Sequence, residues 1–242
     1  RTMKTYHCTS GPFSERPFFT PEEFEQITSD ELQKVDLFPA KPGPVRIDRF
    51  IEKRFNFSPT YEDLDEGVLG YTQFGSQVEA IVISKSLAED QTPVARRRVN
   101  TTLAHEAGHG LLHAYLFMLA SVKDITPLLT KEFDVNSRRI LCRDDIIHGT
   151  GQGGAQRCYS GRWWEFQANK AMGALLLPRE LVVKCLDTLL VDRGSFGEKW
   201  IQQGQREAAA QKLVSAFDVN PIVGRLRLQT LYPEGDEQQL TF

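Results

Sequence analysis

Apolar positions in this chain recur at helical spacing over most of its length, with one short region that reads as strand. Thr20-Pro21-Glu22-Glu23 is a helix start: a capping hydroxyl, proline at the first helical position, and acids near the positive end of the dipole. That helix carries Phe24 and Ile27, and Ser29-Asp30 is expected to begin another turn running to Val35. Before it, Thr9-Ser10-Gly11-Pro12 and Pro17 argue for an irregular arm; after it, Pro39, Pro42 and Pro44 mark a boundary. Ile47, Phe50, Ile51 and Phe55 define an amphipathic helix of about three turns, with Arg46, Arg49, Lys53 and Arg54 on its solvated face.

Val68 to Phe74 and Val78 to Ser84, separated by Gly75-Ser76, read as a hairpin. Its buried second strand, Ala80-Ile81-Val82-Ile83, is expected to offer an edge to an extended peptide. Thr92-Pro93 opens a long helix to about Ser121, with Arg96-Arg97-Arg98 in its exposed first turns. Residues 122 to 162 read as an irregular connection holding a short strand at Ile140-Leu141-Cys142 and a glycine loop from Gly149 to Gly154. That loop is not a phosphate loop, because no Gly-Lys-Ser/Thr follows; it reads equally as a lid over a site and as a surface loop. Trp163 to Leu177 is a second buried helix, ended by Pro178. Gln205 to Phe217 places Ala208, Leu213, Val214 and Phe217 at core spacing. The turn Asp218-Val219-Asn220-Pro221 leads into a last helix to about Leu231 with Val223, Leu226 and Leu228. Two helices so joined can make a helix-turn-helix, with Arg225 and Arg227 set to touch phosphate, although packing on the core is the favoured role. The expected fold is therefore α+β, a helical core on a small, mostly antiparallel sheet with a helix-turn-helix-like tail. The punctuation divides it into an arm with short helices (1–44), a core (45–204) and a C-terminal helical tail packed on that core (205–242).

Composition narrows the class. Hydrophobic residues make up 40% and charged residues 25% of 242, enough for an ordinary globular core. A net charge of −3 implies no bulk attraction to nucleic acid or to an anionic membrane, leaving the tail as the one place for nucleic-acid contact. The four cysteines, Cys8, Cys142, Cys158 and Cys185, form no CxxC pair and are expected to be reduced thiols. Arg1 to Ser10 is polar, without the apolar region of a secretory signal, and Gly108 to Val122 is too short to span a bilayer. These features read as a cytoplasmic protein.

The chemistry sits in His105-Glu106-Ala107-Gly108-His109. On a helix, positions i and i+4 share a face, so His105 and His109 can hold one ion, with Glu106 turned about 100° away over its open side. This is the pattern of a zinc hydrolase, in which the glutamate acts as general base. Between Ala104 and Ala120, Glu106 is the only acid, and three of the five histidines fall within nine residues. His113, eight residues beyond His105, is rotated about 80° and lies roughly 12 Å along the axis, so it reads as a packed or supporting residue. A catalytic zinc needs a third protein ligand. Glu165 is the only acid of the second buried helix; it suits either a cation partner for a buried carboxylate or the positive end of the helix dipole. His148 is an alternative ligand or a substrate contact. Tyr159, His148 and Arg157 are candidates for stabilising an oxyanion.

Taken together, His105-Glu106-Ala107-Gly108-His109 with Leu112-His113, and Glu165-Phe166-Gln167-Ala168-Asn169 continuing through Ala171 to Leu175-Leu176-Leu177-Pro178, resemble the ImmA/IrrE family of zinc metallopeptidases. The likeness spans roughly Val45 to Tyr232, and the stretch from Val122 to Arg162 is longer than that pattern leads one to expect. The resemblance implies that Glu165 is the third zinc ligand and that Asn169, one turn later, orients a ligand. It further implies a zinc endopeptidase cutting a partner protein, such as a helix-turn-helix repressor, in stress response or mobile-element regulation. The alternative is a zinc-containing regulator or toxin–antitoxin component that acts by binding through its C-terminal helices.

Overall fold

The structure is a computed structural model that describes residues 4–7, 13, 15–119, 133–134, 138–143, 162–193 and 198–234. It is a mixed α+β protein. An antiparallel ribbon, β1 (Lys4–His7) and β2 (Glu15–Phe18), comes first, so the expected irregular arm contains a hairpin with Pro17 inside a strand. Proline is tolerated there because a two-stranded ribbon has outer edges that need no N–H donor. α1 (Pro21–Lys34) starts with a full capping box between Thr20 and Glu23. It runs unbroken through Ser29-Asp30, because Phe24, Thr28 and Leu32 form one continuous buried stripe at i, i+4 and i+8.

α2 (Ile47–Phe55) buries Ile47, Phe50 and Ile51 and ends on Asn56 in the left-handed region. Next come β3 (Thr60–Glu62), β4 (Val68–Phe74), β5 (Val78–Ser84), α3 (Lys85–Glu89) and α4 (Pro93–Leu119). After α4 come β6 (Phe133–Asp134) and β7 (Arg139–Arg143). Among the described residues the main sheet has the order β3-β5-β4-β7-β6, antiparallel except for the β3–β5 pair. The hairpin β4–β5 falls where the apolar pattern places it. The expectation that β5 is an open edge does not hold: β3 pairs with it through Thr60↔Val82 to Glu62↔Ser84, so the outer strands are β3 and β6. β3 was invisible in the pattern because all three of its residues are exposed.

α5 (Trp163–Leu176) and α6 (Arg179–Leu186) are followed by a second ribbon, β8 (Leu190–Arg193) with β9 (Glu198–Ile201), and by α7 (Arg206–Phe217) and α8 (Pro221–Leu231). Phe50, Phe74, Phe117, Ile81, Ile83 and Ile140 are fully buried between helices and sheet. Phe13 packs on Phe117, Trp163 and Trp164, tying the start of the chain to α4 and α5. No described helix is long and apolar enough to cross a membrane.

α4 and α5 meet through small residues. Ala104, Ala107, Ala168 and Ala171 are buried, and a Cβ on Gly108 would stand 3.0 Å from the Ala168 carbonyl oxygen and 3.1 Å from the Ala171 Cβ. Backbones this close bring polar side chains on the two helices within bonding distance.

The tail is fastened by charge. Arg227 of α8 is buried, donates to the Leu177 carbonyl at the end of α5, and makes a two-pronged pair with Glu25 of α1 at 2.7 Å on each arm. It is therefore not placed to touch phosphate. Arg225 is engaged by Glu207 of α7, and Arg96 and Arg97 are both held by Asp218. Ala208 faces outward; Ala209 and Ala210 take the core side instead.

Two substitutions test this packing. Gly108→Val should drive α4 and α5 apart and destabilise the fold by about 1–3 kcal/mol in denaturant unfolding. Glu25→Ala leaves the buried Arg227 charge uncompensated and should cost roughly 3–5 kcal/mol in the same measurement.

Candidate metal centre

His105, Glu106, His109 and His113 all lie on α4, and none of their side chains has exposed surface. Glu165, in the first turn of α5, is 4% exposed and faces them. The Nε2 atoms of His105 and His109 are 3.0 Å apart, and Glu165 Oε2 lies 3.0 Å from the first and 3.5 Å from the second. A tetrahedral ion with bonds of about 2.0–2.1 Å sets its ligand atoms about 3.3 Å apart. The triangle has that size. His105, His109 and Glu165 could therefore hold a metal ion. Among the described residues Glu165 Oε1 has no hydrogen-bond partner, although it is buried, which also fits a carboxylate shaped to meet a cation.

The residues around the triangle fix its members. Asn169 Oδ1 lies 3.0 Å from His105 Nδ1, so that nitrogen donates and Nε2 faces inward. His113 sits behind His109 with their Nδ1 atoms 2.9 Å apart, and its Nε2 donates to Gln167 Oε1 at 3.1 Å. His113 is thus held away from the ligand triangle, as the helical geometry requires. Thr72, from β4, donates its hydroxyl to Glu106 Oε2 at 2.6 Å. Glu106 Oε1 has no such partner among the described residues. Cys142, buried on β7, stands close enough to His105 and Glu106 that the three form a second potential ligand group.

The two carboxylates are driven in opposite directions. Burial pushes Glu106 up to about 8, although His105 and the Thr72 hydroxyl pull the other way. Burial also raises Glu165, but His109 and His105 beside it outweigh that and hold its pKa well below the usual carboxylate range. For His105, burial disfavours the charged ring, yet Cys142 and Glu165 against it hold its pKa well above the usual imidazole range. The Cys142 thiol is itself pushed up to about 12 by burial, so near neutral pH it is uncharged and Glu165 supplies the attraction. Burial lowers His109, and it lowers His113 to about 3 with the help of neighbouring His109. A proton on His105 thus balances Glu165, in the place a divalent cation would take.

His148, Tyr159 and Arg157, the glycine loop from Gly149 to Gly154, Cys8 and Cys158 lie outside the described residues. Thr72, Cys142 and Gln167 were given no role by the sequence. Gln167 lay within view, two residues after Glu165, but its importance comes from a contact with α4 that no spacing reveals.

No family model matches this chain, and no curated protein matches it.

His109→Ala and Glu165→Ala should each weaken divalent-metal uptake, read by competition with a chelator, by more than the roughly 10–100-fold expected from losing an outer contact.

Proposed function

We propose that this chain is a zinc-dependent peptide hydrolase built on the His105-Glu106-x-x-His109 helix, with Glu165 as third ligand and a member's likeness to the ImmA/IrrE metallopeptidases. The observation that carries the reading is Glu106: a buried carboxylate beside the ligand triangle, one oxygen held by Thr72 and the other without a partner. A donor set of two imidazoles and one carboxylate suits zinc and leaves a fourth position open. Zinc bound there would supply a Lewis acid that polarises a carbonyl and makes water more acidic.

The chain's own residues do the rest. Thr72 anchors Glu106 Oε2, so Oε1 is the atom that takes the proton from the attacking water and passes it to the leaving amine. Without metal, burial holds Glu106 up at about 8; a divalent cation beside it would draw it down toward the ionised form that a general base needs. Asn169 and His113 hold the two imidazoles in position. The substrate under this reading is a partner protein, with a helix-turn-helix repressor as the first candidate.

A second reading is a binding protein with a structural metal, acting through α7 and α8. The complete burial of His105, Glu106 and His109 favours it. The engagement of Arg227 by Glu25, and of Arg96 and Arg97 by Asp218, speaks against nucleic acid as the partner.

The two are separated by co-expressing the protein with a neighbouring repressor, comparing wild type with Glu106→Gln, and measuring zinc in both. The expected result is about one zinc per chain in each, with cleavage reduced about 10²–10⁴-fold in the variant. Zinc in both and cleavage by neither would move the weight to the binding reading.

A further inference from the structure

The supporting contacts behind His109 form a directed chain. Pro17, on β2, offers a carbonyl that can only accept. Gln167 Nε2 donates to it at 2.7 Å. That bond orients the amide, since the flipped amide would set two oxygens 2.7 Å apart. Gln167 Oε1 therefore faces His113 Nε2, at 3.1 Å, and that nitrogen carries a proton. Among the described residues His113 has no carboxylate hydrogen-bond partner, and it is fully buried, so it holds a single N–H and presents a bare Nδ1. His109 Nδ1, 2.9 Å away, must be the donor between the two rings. Its Nε2 is left with a lone pair, aimed at His105 Nε2 and Glu165 Oε2.

We propose that Pro17, Gln167 and His113 act as a relay that selects the tautomer of His109 and so makes its Nε2 available to the metal. Gln167 and His113 are positioning residues, and the N-terminal ribbon becomes a structural part of the metal centre. The inference rests on the ligand role of His109. Its own content, the order of protons along the chain, is independent of whether the site is catalytic.

The test uses the whole protein, metal-free, with ¹⁵N-labelled histidine. Long-range proton–nitrogen correlation spectra report which ring nitrogen is protonated, and only five histidines need assignment. Wild type is expected to show His109 protonated at Nδ1 and His113 at Nε2. Gln167→Met keeps similar volume but removes both bonds. It should give mixed tautomers at His109 and lower zinc affinity, measured by chelator competition, roughly 10–100-fold. The relay is overturned if wild-type His109 carries its proton on Nε2, a result that needs no variant to fold. It is also overturned if Gln167→Met leaves tautomer and zinc affinity unchanged. A wild type that binds no zinc would sink the metal reading alone, since the tautomers are read without metal.

Discussion

Three lone-pair atoms cannot be packed within 3.5 Å of one another in a dry interior unless something positive lies among them. That constraint governs the structure around α4 and α5. The small residues that let the two helices approach serve it, because Gly108 and Ala168 bring the backbones close enough for Glu165 to reach the two imidazoles. The outer contacts serve it too. Asn169, His113 and Gln167 each use up the hydrogen on the far side of an imidazole or of its support, so that the near side is left as a donor of electrons.

The same enclosure treats its two acids differently. Glu165 lies against His109 and His105, whose attraction outweighs its burial, and it stays ionised. Glu106 has a single threonine hydroxyl on one oxygen, and its burial outweighs the pull of His105 and of that hydroxyl, so it holds a proton more tightly. Two carboxylates on adjoining helices, set apart by surroundings alone, are suited to unlike tasks: one to bind a cation, the other to exchange a proton.

Much of this was legible because it is periodic. The i, i+4 spacing of His105 and His109, the capping residues around Thr20, and the Gly75-Ser76 break between two apolar runs are all local signals, and the helices and hairpin follow them. What was not legible depends on partners distant in the chain. Thr72 lies 34 residues from Glu106, and Gln167 lies 150 from Pro17. β3 has no apolar face to announce it, and its pairing turned an expected edge strand into an interior one. Arg227 reads as a surface cation by residue type, yet the Glu25 carboxylate and the Leu177 carbonyl together satisfy it in the interior.

That last feature has a bearing on how the chain reaches this state. Arg227 and Glu25 stand 202 positions apart. As synthesis proceeds, α1 can form early from its own capping box, but the cation that neutralises its inner carboxylate emerges only with α8. Contacts of such separation are slow to close. The ion pair that fastens α1 to α8 is thus the later of these contacts to become available, since α5, on which Phe24 packs through Ala171, is synthesised first.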